Sequence, residues 1–241
     1  MKKVILIAIL VAGLSTLSKG QDIYSSSGGE MIFQMSQADR AGSSLSTNLR
    51  WTVFLHFGQY VNFDFNKNFG LYTGLALRNV GFIMNENRLN SSNEMQLEKH
   101  IYRTYNLGVP LAIKFGSLDN HLYFFGGAEY EWQFQFKHKY WPSGNGSRSN
   151  EKVKYTGWFT DEVRYFVPSV FVGVQFPAGI NLQFKYYLQS MLNQDYKDSS
   201  GNKIYEDLDV KMFYISLSFR INNRQIKKKW DDTFDTGYAS R

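Results

Sequence analysis

Two glutamates, Glu129 and Glu131, stand two residues apart in the run Ala128-Glu129-Tyr130-Glu131-Trp132. In an extended chain, residues i and i+2 point to the same side, so the two carboxylates are neighbours. Such a pair could serve acid/base chemistry or line a cation path. It could equally belong to a buried ion network, because adjacent carboxylates repel unless cations stand between them. Arg78, Lys114 and Lys185 fall at inward positions of the alternating segments described below. A closed interior must neutralise its ions, so the pattern favours a salt-bridged network of Arg78, Lys114, Glu129, Glu131 and Lys185.

Other groups with chemical potential are scattered. His100 and His138, with Ser91, Ser92, Ser143, Ser147 and Asp161, could in principle furnish a hydroxyl nucleophile and its base. Spacing alone fixes no such geometry, and no catalytic residue is assigned. His56 reads as an interior hydrogen-bonding residue and His121 as a turn residue. The acidic residues Asp195, Asp198, Glu206, Asp207 and Asp209 lack the spacing and glycine of a calcium loop. The chain has no cysteine, which excludes disulfides and thiolate chemistry. No cofactor and no metal are expected.

The segment that must position the two glutamates is Tyr105 to Phe136. Its first limb places Tyr105, Leu107, Val109, Leu111, Ile113 and Phe115 on one face, opposite Asn106, Gly108, Pro110, Ala112 and Lys114. After a turn at Gly116 to Asn120, Leu122, Phe124, Gly126, Ala128, Tyr130, Trp132, Phe134 and Phe136 alternate with Tyr123, Phe125, Gly127, Glu129, Glu131, Gln133, Gln135 and Lys137. Period two marks strands. Limbs of this length match the roughly 9 to 11 residues that a tilted strand needs to cross a bilayer. An apolar face ending in aromatics, opposite a charged face, is the pattern of a transmembrane barrel.

The same alternation recurs along the chain. Strands are predicted over Glu30 to Gln37, Leu49 to Phe65, Phe69 to Ile83, the central hairpin, Glu162 to Phe176, Ile180 to Leu192 and Met212 to Ile221. Residues Asp22 to Gly29 read as a polar lead-in. Short turns follow the second, fourth and sixth strands, and long polar connections follow the others, including Met84 to Glu98 and His138 to Asp161. This predicts an all-β, eight-stranded antiparallel up-and-down barrel with short periplasmic turns and long extracellular loops. Pro110 and Pro168 lie inside strands, where each removes a ladder donor, and a bulge or widening is expected at each. Phe65, Phe69, Phe115, Phe176 and Phe219 would form one aromatic girdle, and Trp51, Trp132 and Phe134 the other.

The ends carry their own signals. Lys2 and Lys3 precede an apolar run from Val4 to Leu17, followed by small residues before Gln21, which reads as a signal peptide over 1–20. The formal charge is +6, and losing Lys2, Lys3 and Lys19 with that leader leaves a balance too mild for nucleic acid. Residues 30–221 would be the barrel, 21–29 its lead-in, and 222–241 a periplasmic tail. In that tail Trp230, Phe234 and Tyr238 recur every four residues beside Lys228, a spacing that suits docking of a short helix on a partner.

The YNLGVPLAIKF strand at Tyr105 to Phe115, the following FFGGAEYEW segment and the terminal FYISLSFRI at Phe213 to Ile221 resemble PorT-type outer-membrane β-barrel proteins of bacteria that use type IX secretion. The resemblance implies an outer-membrane barrel and no catalytic residues to carry over, while the alternation of short and long connections puts both termini in the periplasm. It also implies outer-membrane lipid as surroundings and an envelope protein as partner, through the tail or loops, in secretion or outer-membrane assembly. A small porin or ligand-binding barrel and a lipid A-modifying barrel enzyme are the competing functions.

Overall fold

The computed structural model describes residues 22–89, 93, 95–141 and 152–223. The segment 1–20 expected as a signal peptide and the tail residues Lys228, Trp230, Phe234 and Tyr238 lie outside them, as do Ser91, Ser92, Ser143 and Ser147. The described strands are β1 (Asp22–Arg40), β2 (Ser43–Asn48), β3 (Arg50–Thr52), β4 (Phe57–Asp64), β5 (Phe69–Leu89), β6 (Met95–Ser117), β7 (Leu122–Trp141), β8 (Val153–Trp158), β9 (Phe166–Gln175), β10 (Ile180–Tyr187) and β11 (Leu208–Asn222). All pairings are antiparallel, and β11 pairs back onto β1 from Ser26↔Asn222 to Arg40↔Leu208. The sheet therefore closes on itself and leaves no open edge. Strands β2, β3 and β4 share one stave between β1 and β5, and β8 with β9 share another beside β7. The result is an eight-stranded antiparallel transmembrane barrel.

The outer wall shows why this sequence needs lipid. Val109, Leu111, Ile113 and Phe115 on β6 alternate with buried Pro110, Ala112 and Lys114, and Val172, Leu182, Phe184, Ile215 and Leu217 are similarly exposed. From Tyr105 to Phe115 there are ten residue steps, about 34 Å of strand. With a tilt of about 40°, that spans about 25 Å, the height of a barrel's apolar band.

Several boundaries differ from the sequence expectation. Residues 22–29 are not a lead-in but the first half of β1, paired with β4 from Asp22↔Asp64 to Gly29↔Phe57. Their serines and glycines belong to a stave whose inner face is polar. The long connection expected after the first strand is a two-residue turn, Ala41-Gly42, with φ of 48° and 80°, the positive-φ pair that closes a tight hairpin. Residues 84–89 and 95–98 are strand rather than loop, as are His138 to Trp141, because polar residues extend a sheet freely once it has risen above the apolar band. The strand expected over Leu49 to Phe65 is interrupted at Val53 to His56.

The most consequential difference is a bulge. Tyr105 pairs with Gln135, but Asn106 pairs with Gln133, so Phe134 is an extra residue in β7. An extra residue reverses the alternation beyond it. Phe136, expected outside, is completely buried, and Lys137, expected inside, faces outward. The register at Pro110 and Pro168 is unbroken on the β7 side. Beside Pro110 the β5 ladder has a gap between Thr73↔Leu111 and Ala76↔Gly108, and the Thr73 hydroxyl donates to the Pro110 carbonyl at 2.8 Å.

Candidate functional site

The interior is a filled polar column rather than an open tube. At its centre Arg78 of β5 donates through Nε to Glu30 Oε2 at 2.8 Å and through Nη1 to Glu129 Oε1. Lys185 of β10 donates to Glu129 Oε2 at 2.8 Å and to Glu131 Oε1. Asn106 Nδ2 donates to Glu131 Oε2 at 2.7 Å, and the Tyr187 hydroxyl lies 3.0 Å from both Glu131 oxygens. Every oxygen of Glu129 and Glu131 thus has a donor; Lys185 bridges the two acids, and Arg78 bridges Glu129 and Glu30. Lys185 and Glu131 are entirely buried.

Lys114 does not join them. It belongs to a separate cluster nearer the short-turn end, with Asp64, the Asn62 Oδ1 at 3.1 Å and the Tyr24 hydroxyl at 3.4 Å. Alternation places Lys114 inside but cannot place it at a height, since that depends on the stagger between β4 and β6. Glu30, Asn106 and Tyr187 are members that sequence reasoning missed. Glu30 stands opposite the Met31-Phe33-Met35 face, so its inward direction was legible.

Side chains stand across both ends of the column among the described residues. Toward the short turns, the Arg220 guanidinium lies 4.4 Å from the Tyr60 ring centre and 5.0 Å from that of Tyr72, within cation–π range. At the other end Met191 and Leu192 turn into the barrel mouth with Val163, Tyr205 and Leu208, all buried. The strand expected over Ile180 to Leu192 therefore ends at Tyr187. The Tyr205 hydroxyl donates to Glu162 at 2.9 Å, and Val163 bridges Leu192.

His100 and His138 do meet. Their Nδ1 and Nε2 are 3.0 Å apart, and His100 Nε2 is 3.2 Å from Glu98. The bulge at Phe134 turns His138 inward, so sequence parity could not bring them together. His56 contacts the Thr52 hydroxyl at 3.2 Å, and His121 occupies a turn with φ of 53°.

Trp51, Phe69, Phe115, Trp132, Phe176 and Phe219 all project from the outer wall, with Phe65 and Phe134 partly covered. Phe69 pairs with Phe115, and Phe115 with Phe124, at the short-turn end. At the opposite end, Trp132 stacks on Phe159 at 5.7 Å and Phe134 on Trp158 at 6.0 Å.

No family model matches the sequence, and no curated protein matches it. Among solved structures, Ail of Yersinia pestis, in complex with the heparin analogue sucrose octasulfate, is 13% identical with a TM-score of 0.39, over 82% of this chain and 99% of that one. Neisserial surface protein A is 11% identical with a TM-score of 0.37, over 84% and 99%. OprG from Pseudomonas aeruginosa is 9% identical with a TM-score of 0.36, over 83% and 95%. The eight-stranded architecture stands on the strand pairing of the chain itself.

Proposed function

We propose that this chain is a non-enzymatic outer-membrane β-barrel that acts as a structural or accessory component of an envelope protein complex, in protein secretion or outer-membrane assembly. One observation carries the reading: the interior acids are consumed by interior donors, with all four oxygens of Glu129 and Glu131 occupied. A carboxylate so held is already neutralised and hydrogen-bonded within the barrel, which argues against a general base or a cation path. The side chains of Arg220 and of Met191 and Leu192 across the two ends argue in the same direction. What remains for interaction is the outer wall, the connections and the tail. The PorT-type resemblance suggests an envelope protein as partner. In this reading the short-turn end, where Asp22 pairs with Asp64 and Ser26 with Asn222, faces the periplasm, so that Lys228, Trp230, Phe234 and Tyr238 are presented there for docking. Trp51, Phe65, Phe69, Phe115, Trp132, Phe134, Phe176 and Phe219 serve as the interfacial girdles.

The test is co-purification from detergent-solubilised outer membranes, comparing the full chain with one ending at Asn222. Envelope proteins recovered with the full chain alone support an accessory role through the tail. A chain that purifies without partners and gives stepwise conductance in a planar bilayer would replace this reading with that of a small porin.

A further inference from the structure

Above the Trp132-Phe134-Trp158 row, the outer face of β6, β7 and β8 carries an uninterrupted basic cluster. Arg103 stands directly across from Lys137, and Lys139 directly across from Lys154, with Lys152 immediately before β8. Like charges directly opposite each other destabilise a sheet, yet two such pairs sit side by side here. None of these five cations forms an ion pair with a described acidic residue. Arg103 Nε is buried and has no hydrogen-bond partner among the described residues. Ile101, Arg103, Lys139, Trp141 and Lys152 line a partly open hollow of about 300 Å³. A second hollow, of about 370 Å³, lies below it between Leu55, Leu77, Phe134 and Trp158, with Lys137 on its rim.

The vertical order is apolar hollow, aromatic row, then cations. Lys137 is two residues above Gln135, which pairs with Trp158, a rise of about 7 Å along the strand. That is the headgroup level of the leaflet around the long-strand end. Basic clusters at this level attract anionic lipid by about 1 kcal/mol per Lys or Arg near the surface, and a guanidinium pairs phosphate bidentately. We propose that Arg103, Lys137, Lys139 and Lys154 form a binding site for the phosphorylated headgroup of an outer-leaflet glycolipid, with an acyl chain entering the Phe134-Trp158 hollow. A lipid is favoured over a soluble polyanion because the cations are on the side wall, continuous with the lipid-facing aromatics, and not at the barrel mouth. The site rests on the outer-membrane reading given above.

Native mass spectrometry of the refolded full chain in detergent tests it, using bis-phosphorylated lipid A, dephosphorylated lipid A and a heparin-type polysulfate as probes. The chain with Lys137→Gln, Lys139→Gln and Lys154→Gln is compared with one carrying Lys67→Gln, Lys197→Gln and Lys203→Gln, which removes equal charge elsewhere. We expect retention of lipid A to fall at least tenfold in the first variant and on dephosphorylation, and by less than twofold in the second. Without lipid, the first variant should melt above the wild type, since the like-charge pairs are gone, and lipid A should raise the melting temperature of the wild type alone. Equal loss in both variants, equal retention of dephosphorylated lipid A, or binding of the polysulfate in place of lipid A would overturn the proposal. Absence of the chain from outer-membrane fractions would instead overturn the localisation, since these assays use refolded protein.

Discussion

The Glu129 carboxylate on β7 fills the space beside Gly108 on β6 where a side chain would otherwise stand. The ion network is therefore built against backbone. Gly108→Ala should push Glu129 away from Arg78 and Lys185, and overpacking of this kind costs about 1–3 kcal/mol. Urea titration of the barrel in lipid vesicles would measure it. A midpoint unchanged from wild type would contradict the placement.

Lys185→Met leaves Glu131 with a buried charge and one fewer cation. Breaking such a pair costs about 3–5 kcal/mol. Adding Glu131→Gln should recover much of the loss, because the orphaned charge is removed with its partner. A double-mutant cycle on unfolding free energy would read this coupling.

Lys114→Met should not couple to Glu131→Gln, since Lys114 is held by Asp64 and Asn62. Separate clusters add to within about 0.5 kcal/mol. A larger coupling in the same cycle would show that the two clusters act as one.

Tyr205 offers a pH test outside the membrane span. Burial, with Tyr102 and Glu162 nearby, raises its hydroxyl pKa above the ordinary 10.0. The unfolded chain thus releases this proton first. The stability contributed by the neutral, hydrogen-bonded hydroxyl is complete below pH 10 and declines as pH rises further. Thermal melting between pH 8 and pH 11 should show wild type losing stability more steeply than Tyr205→Phe, which has no proton to lose. Parallel curves would discount the Tyr205–Glu162 contact.

Deleting Phe134 alone removes the bulge without changing which residues face inward. Deleting Phe134 and Gln135 together should turn Phe136 and His138 outward while driving Lys137 and Lys139 in. Buried unpaired cations are costly, so the doubly deleted chain should fail to reach the compact, heat-modifiable form on gel electrophoresis. Phe134→Leu, which keeps the residue count, should fold.

Alternation alone determined the strand periodicity, the inward direction of Arg78, Lys114, Glu129, Glu131 and Lys185, and the outward direction of Val109 through Phe115, because successive side chains in a strand must oppose. Three of the short turns were also legible from Asn66-Lys67-Asn68, Gly116 to Asn120 and Pro177-Ala178-Gly179. Only the tertiary structure decided what depends on pairing between strands. The stagger of β4 against β6 gave Lys114 to Asp64 rather than to Glu131. The single extra residue at Phe134 set His138 against His100 and put Lys137 and Lys139 on the outer wall. A bulge leaves no mark on the local alternation until the partner strand is known, and parity beyond it is then reversed.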